Sequence, residues 1–191
     1  VDGDQIMAAI ATAWQVSGQL KGDGVVSTVM SNLGLEHYLI SRGLNFYRTD
    51  VGDRYVLEHM KVNGFNLGGE QSGHIIMSDY TSTGDGIIAA LQVLAIAVAK
   101  EKPMSEITNV FKPFPQYLKN ITIGKINPLE AQSVKKIIKR GENLLDKQGR
   151  ILVRKSGTEP LVRVMVEGED ESIVTEIVDD ITSEIQKFQC D

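Results

Sequence analysis

Apolar residues recur at two different spacings along this chain, and the alternation between them sketches an architecture. Ile6, Ala9, Ile10, Ala13 and Trp14 fall three and four apart, as on one face of a helix, with Asp2 or Asp4 placed to cap it. Val25-Val26-Ser27-Thr28-Val29-Met30 is rich in β-branched residues and reads as a strand. A second helix opens at Asn32, carries Leu35, Leu39 and Ile40 on one face, and closes at Gly43. Asn45 to Thr49 reads as a strand and Asp53 to Lys61 as a helix ending near Gly64. Asn66-Leu67-Gly68 leads into a glycine-rich loop, His74 to Met77 forms a short strand, and a long helix runs from Thr83 or Asp85 to Lys100. Strands alternating with helices predict an α/β domain with a mixed, largely parallel sheet over residues 1–101.

Three of the five prolines, Pro103, Pro113 and Pro115, then bracket a short helical stretch, and residues 102–115 read as a linker. Beyond it the pattern is strand (Gln116 to Ile123), helix (Pro128 at its first position, to about Arg140), strand (Arg150 to Lys155), strand (Leu161 to Glu167) and helix (Asp170 to Phe188). That order predicts a smaller α+β domain, residues 116–191, with helices on one face of an antiparallel sheet. There is no internal repeat and no low-complexity tract.

A hydrophobic share of 42% and a charged share of 24% fit a globular protein. The net charge of −5 leaves no basic block for a nucleic-acid backbone, so a nucleic-acid partner is not expected. The most apolar stretch, Gly86 to Ala99, is interrupted by Gln92 and too short to span a bilayer, so no membrane partner is expected either. Cys190 is the only cysteine, which rules out an intrachain disulfide and a cysteine metal site and fits a reducing compartment, the cytoplasm. No signal-peptide pattern is expected from the first residues. The chain opens at Val1 without methionine and reads as a piece of something longer.

Charge becomes informative locally. Arg154-Lys155-Ser156-Gly157-Thr158-Glu159-Pro160 holds two hydroxyls and a glycine behind an arginine, and Arg163 follows on the next apolar run. Turn N–H groups form anion-binding nests, and guanidinium forks match phosphate oxygens. Without the arginines, an ordinary Ser/Gly/Thr/Pro turn would explain the segment equally well. A second segment, Gly68-Gly69-Glu70-Gln71-Ser72-Gly73-His74, offers a carboxylate, a hydroxyl and an imidazole at alternating positions, suited to vicinal sugar hydroxyls. A glycine-rich connection between two strands is the open alternative. Thr83-Gly84-Asp85-Gly86 lacks the G-K-[ST] ending of a P-loop, and His37 and His59 read as surface or packing residues.

The Arg154–Pro160 loop resembles the phosphate-contact loop, R-x-S-G-T-E-P, of the α-D-phosphohexomutase family. Gly69-Glu70-Gln71-Ser72-Gly73-His74 is similar to that family's sugar-recognition loop. Thr81-Ser82-Thr83-Gly84-Asp85-Gly86 and Val51-Gly52-Asp53-Arg54-Tyr55-Val56 resemble the branch that handles glucosamine phosphate. The resemblance runs from Asp2 to about Asp170 and implies the family's third and fourth domains. It implies a phosphosugar substrate, glucosamine phosphate, held by Glu70, Ser72, His74, Arg154, Ser156, Gly157, Thr158 and Arg163, with Asp53, Arg54 and His74 as assisting residues. The phosphoserine loop (T-x-x-S-H-N-P) and the magnesium loop (D-G-D-G-D-R) of the family do not occur in this sequence. The resemblance therefore implies that phosphoryl transfer and Mg2+ binding belong to N-terminal domains of the same enzyme, and that this stretch alone is inactive. Val1-Asp2-Gly3-Asp4 reads as a helix start rather than a metal site. A fragment from the phosphomannomutase/phosphoglucomutase branch and a non-catalytic phosphosugar-binding module are the competing readings.

Overall fold

Val25 and Val26 are neighbours on one strand and both are fully buried, so both faces of that sheet are covered. The computed structural model describes residues 1–124, 127–157 and 159–188, which fall into two units, Val1–Pro113 and the part from Phe114 onward. In the first unit β1 (Gly24–Thr28), β2 (Asn45–Thr49), β3 (Leu67–Gly69) and β4 (Ile75–Met77) form a sheet of order β2-β1-β3-β4. β1 runs parallel to both β2 and β3, while β4 is antiparallel to β3. The mixed, largely parallel sheet expected from the pattern is what forms.

The helices are α1 (Gly3–Ser17), α2 (Leu33–Ser41), α3 (Asp53–Asn63), α4 (Gly86–Lys100) and α5 (Met104–Ile107). Val25, Leu67, Ile75 and Met77 share one core with residues of α1, α2 and α4. Val26 and Ile76, pointing the other way, pack with Val56 and Met60 of α3. Caps set the starts: Asp2 accepts from the Gln5 N–H, Asn32 from Gly34, and Asp85 from Ile87 and Ile88. β1 ends two residues earlier than its apolar run, because the Ser31 N–H turns back to the Thr28 carbonyl at 3.1 Å. β3, a three-residue strand containing two glycines, is one the pattern did not announce.

The proline-bracketed segment 102–115 lies largely within the first unit. Ile107 is buried, Val110 and Phe111 pack against the α1 core, and the Gln5 side chain clasps the segment through the Phe111 carbonyl and the Val110 N–H, both at 2.8 Å. Pro103 marks the start of α5 rather than a free tether.

In the second unit β5 (Gln116–Thr122), β6 (Gly149–Lys155) and β7 (Leu161–Gly168) make an antiparallel sheet with β7 in the centre. α6 (Gln132–Leu145) and α7 (Glu171–Gln186) cover the face carrying Val162, Val164 and Val166. Pro128 opens a separate 3-10 turn, Pro128–Glu130, and α6 starts four residues later than expected and runs on past Arg140. Gly141, one residue past the expected end of that helix, is a contact glycine. A Cβ there would lie 2.7 Å from Ile177 Cγ2 and 2.8 Å from Ile151 Cδ1, so α6 approaches α7 and the sheet through it. No helix among the described residues is long and apolar enough to cross a membrane.

Gly141→Val is expected to destabilise the second unit by about 1–3 kcal/mol, the usual cost of overpacking. Trp14, the single tryptophan, reports only the first unit. Urea titration should shift the far-UV circular dichroism transition while leaving the Trp14 fluorescence midpoint in place.

Candidate functional site

Residues directly opposite each other in an antiparallel pair share a face of the sheet. The β6–β7 register sets Arg150 opposite Glu167, Leu152 opposite Met165, and Arg154 opposite Arg163, all on the face away from α6 and α7. The first of these rungs is electrically complete: Arg150 and fully buried Glu167 form an ion pair, and Gln116 of β5 donates to the same carboxylate at 2.9 Å. The rung at the other end is the reverse. Arg154 and Arg163 are like charges across a strand pair, with Asn120 of β5 beside Arg163. The Nε atoms of both arginines are buried with no hydrogen-bond partner among the described residues. Arg163 Nη2 reaches Glu159 Oε2 at 3.2 Å, a half-exposed pair that contributes little and separates easily.

The loop that closes this end is held by its own bonds. The Ser156 N–H donates to the Leu161 carbonyl at 2.8 Å, the Leu161 N–H to Glu159 at 2.8 Å, and the Glu159 N–H to Ser156 Oγ at 3.3 Å. Apart from its two chain neighbours, a Cβ on Gly157 would meet no atom of the described residues within 4 Å, so their packing does not demand glycine there. Two guanidinium groups that share a single weak contact to Glu159, beside a turn open to close approach, can accept a multiply charged oxyanion. Thr158 lies outside the described residues.

The first unit gathers its polar loop at the carboxyl ends of its parallel strands, where open α/β sheets bind ligands. The segments after β1, β2 and β3 meet there. Glu70 Oε1, in the turn between β3 and β4, accepts from the Gly52 N–H at 3.1 Å, at the start of α3. A carboxylate at a helix N-terminus is favourably placed. Ser72 Oγ and His74 Nδ1 lie 3.2 Å apart, and His74 Nδ1 is 3.9 Å from Glu70 Oε2. Both Ser72 and His74 are exposed, so their polar atoms remain open to a ligand. Glu70, Ser72 and His74 are thus brought together, with Asp53 next to the Gly52 contact. Arg54 is not part of this group: it is 81% exposed and bonds Glu58 one turn along α3 at 2.9 Å. Among the described residues no three His, Cys, Asp or Glu side chains cluster to hold a metal.

Behind the loop stands a group that sequence reading treated only as a helix start. Asp4 is completely buried, receives the Asn32 N–H at 2.8 Å on Oδ2, and has no partner for Oδ1 among the described residues. Burial pushes its pKa up to about 6, outweighing the hydrogen bonds from Asn32 and Ser31. A carboxylate in an otherwise apolar helix face was the available signal.

Comparison with known proteins agrees with the fold of both units. Residues 2–114 match the family model described as phosphoglucomutase/phosphomannomutase, alpha/beta/alpha domain III, and residues 95–184 match that of the phosphoglucomutase/phosphomannomutase C-terminal domain. Phosphoglucosamine mutases of Parvibaculum lavamentivorans and Rhodospirillum centenum are 56% and 57% identical to this chain over 97% of it. The chain spans only 42% and 40% of the length of those relatives. Among solved structures, Aspergillus fumigatus N-acetylphosphoglucosamine mutase in complex with GlcNAc-6P and magnesium superposes with a TM-score of 0.80 at 21% identity. That match covers 98% of this chain and 44% of the fungal one.

The like-charged arginine rung makes a thermodynamic prediction. Inorganic phosphate at low salt should raise the melting temperature of the second unit, and Arg163→Gln should abolish that response. Without phosphate the same substitution removes a like-charge pair and should be neutral or stabilising by up to about 1 kcal/mol. Scanning calorimetry with and without phosphate reads both effects.

Proposed function

The chain belongs to the phosphoglucomutase/phosphomannomutase family, and on that premise we propose that it is the substrate-holding portion of a phosphoglucosamine mutase. In this reading the whole enzyme interconverts glucosamine 6-phosphate and glucosamine 1-phosphate through a phosphoserine enzyme and a bisphosphate intermediate. Its product feeds UDP-N-acetylglucosamine synthesis in the cytoplasm. The observation that carries the proposal is the Arg154–Arg163 rung, whose two buried Nε atoms lack partners among the described residues, beside the Ser156 turn.

The chemistry assigns the residues. A bisphosphate that reacts at either end needs one clamp for whichever phosphate is not reacting. Arg154, Ser156, Gly157, Thr158 and Arg163 are that clamp, two guanidinium groups supplying charge and the turn supplying N–H and hydroxyl donors. Glu70 and Ser72 hold sugar hydroxyls, which occupy similar places in the two orientations. Glu70 can do so because the Gly52 N–H fixes one of its carboxylate oxygens and leaves the other free to accept. His74 lies beside both and assists near the reacting group, with Asp53 at the rim. Arg54 joins only if it leaves Glu58, a contact that is fully exposed and cheap to break.

Magnesium is bound by the fungal relative, and in that chemistry it neutralises charge on the transferring phosphoryl group. The side chains described here do not form a site for it, since no acidic or histidine cluster is present among them. We assign it, with the phosphoserine, to domains I and II, the part of the relatives' length that this chain does not span. The division into a sugar-holding domain and a phosphate-holding domain joined near Pro113 belongs to the same proposal.

Three variants of the full-length enzyme test this reading. Arg163→Ala removes a charge-assisted contact worth roughly 1.5–3 kcal/mol, so phosphosugar affinity should fall about tenfold or more. Arg163→Lys should recover only part of that loss. Glu70→Gln should weaken glucosamine 6-phosphate binding and leave inorganic phosphate binding unchanged. Calorimetric titration with both ligands is the measurement, and equal phosphate affinity in the parent and Arg163→Ala would overturn the clamp. The 191 residues alone should bind phosphate and show no turnover with glucose-1,6-bisphosphate and Mg2+. Turnover by them would sink the assignment of the chemistry to other domains.

A further inference from the structure

A line of buried polar groups runs from α1 to the loop that carries Glu70. Asp4, Ser31 and Ser27 are all completely buried. The Ser31 hydroxyl bonds the Asp4 carboxyl, the Ser31 and Ser27 hydroxyls bond each other, and Ser27 Oγ donates to the Gly69 carbonyl at 2.7 Å. Gly69 ends β3, and its carbonyl is joined directly to the nitrogen of Glu70. The start of α1 touches the same loop from below. The Gly3 N–H donates to the Gln71 carbonyl at 2.9 Å, and a Cβ on Gly3 would lie 2.1 Å from the Glu70 carbonyl oxygen. Anything that moves Asp4 or its partners therefore acts on the backbone of Glu70.

Counting hydrogens decides what this line can do. Three contacts join four groups in series, and each contact needs one hydrogen. The two serines supply one each. The Gly69 carbonyl supplies none, and an ionised carboxylate supplies none. We propose that the carboxyl proton of Asp4 is the third hydrogen, which makes Asp4 a pH-sensitive positioning residue for the Glu70–His74 loop. With Asp4 protonated, every bond runs one way: Asp4 donates to Ser31, Ser31 to Ser27, and Ser27 to Gly69. With Asp4 ionised, Ser31 turns to the carboxylate, and Ser27 must serve either Ser31 or Gly69. One contact is lost, and the loop is held less firmly.

The surroundings favour the protonated form. Burial is the largest influence and Oδ1 is left without a partner among the described residues, so ionisation is costly, and the carboxyl titrates near pH 6. Asp2 on the same turn adds to the effect, while Arg48 on β2 opposes it. Arg48 is itself held by Glu36 of α2 at 2.9 Å. Glu70 and His74 are ionisable groups in the loop that Gly3 abuts, with Asp53 beside the Gly52 contact. The sign follows: a carboxyl with a raised folded pKa contributes its full stabilisation below its unfolded value and loses it as pH rises through about 6. Loop order should thus decline between pH 5 and pH 7.5. That a sugar sits on this loop rests on the function proposed above; the bonds themselves do not.

Hydrogen exchange of the full-length protein, read by mass spectrometry on peptides covering residues 67–77, tests the device without any substrate. After correction for intrinsic rates, exchange in this segment should be about fivefold faster at pH 7.5 than at pH 5, the equivalent of one ordinary hydrogen bond. Asp4→Asn carries a permanent donor for Ser31 and keeps an oxygen for the Asn32 N–H. It should show the slow rate at both pH values. Ser27→Ala should show the fast rate at both. If Ser27→Ala also speeds exchange across α1, the unit as a whole is loosened, and Asp4→Asn, which preserves volume, decides alone. A pH dependence that survives Asp4→Asn would overturn the proposal and assign the effect to Glu70 or His74. In turnover assays the KM of Asp4→Asn for glucosamine 6-phosphate should be flatter with pH than the parent's, with kcat unmoved. Failure of the parent to turn over would count against the proposed function and leave the exchange result standing.

Discussion

The alternation along β7 is the constraint on which the second unit rests. Val162, Val164 and Val166 face the helices, and Arg163, Met165 and Glu167 face away. A slip of one residue would drive an arginine and a glutamate into the core, at a cost of several kcal/mol for unpaired charges. That register is therefore tightly held, and it delivers two rungs of opposite character four residues apart. Arg150 and Glu167 neutralise each other where the strand is most buried, while Arg154 and Arg163 face each other beside the turn. A protein with a net charge of −5 thereby concentrates positive potential at one place. The folding constraint and the candidate binding site are consequences of the same two-residue period.

The first unit solves a different problem. Its sheet is covered on both faces, so nearly every position in β1, β3 and β4 is apolar or glycine, and the polar exceptions demand reasons. Ser27 and Thr28 are those exceptions in β1, fully buried near its carboxyl end. Each bonds into the connection that leaves the strand: Ser27 to the Ser31 hydroxyl as well as to the Gly69 carbonyl at the end of β3, and Thr28 Oγ1 by accepting from the Met30 N–H. Polar groups that survive burial here serve the loops at the ligand-facing edge rather than the core. The sheet interior supplies stability, and its carboxyl end supplies geometry.

Most of the fold was legible because its elements are long and periodic or carry caps, as with Asp2, Asn32, Asp85 and Asp170. The departures have specific causes. β3 is three residues long with two glycines, too short for a period of two to register. Gly141 lies one residue past the expected helix end, yet it is there because Ile177 and Ile151 leave no room for a Cβ. Prolines in 102–115 read as a tether, while Ile107, Val110 and Phe111 supplied an apolar face with somewhere to pack. For the candidate site, residue types were readable and relations were not. That Arg154 stands opposite Arg163 requires the register, and that Glu70 is fixed by the Gly52 N–H requires two loops 18 residues apart to meet. The Asp4–Ser31–Ser27 line spans three segments and carries no motif.

The two units differ in what they can recognise, and the difference follows from their chemistry. Under the proposed function, a pair of guanidinium groups and a turn would bind any phosphate of suitable charge, so the arginine rung would supply affinity without telling one sugar from another. Discrimination between hydroxyl patterns needs acceptors and donors held in fixed places, because only a rigid polar site leaves groups unpaired when the wrong ligand enters. Glu70 meets that requirement on one side, where the Gly52 N–H holds Oε1. Its backbone is held on the other side, where the Gly69 carbonyl receives Ser27 and the Glu70 N–H itself donates to the His74 carbonyl at 3.1 Å. Ser72 and His74, exposed and bonded chiefly to each other, have no comparable support. Under the proposed function, selectivity for the sugar is therefore concentrated at Glu70, and the buried groups behind it matter because they limit how far that one carboxylate can move.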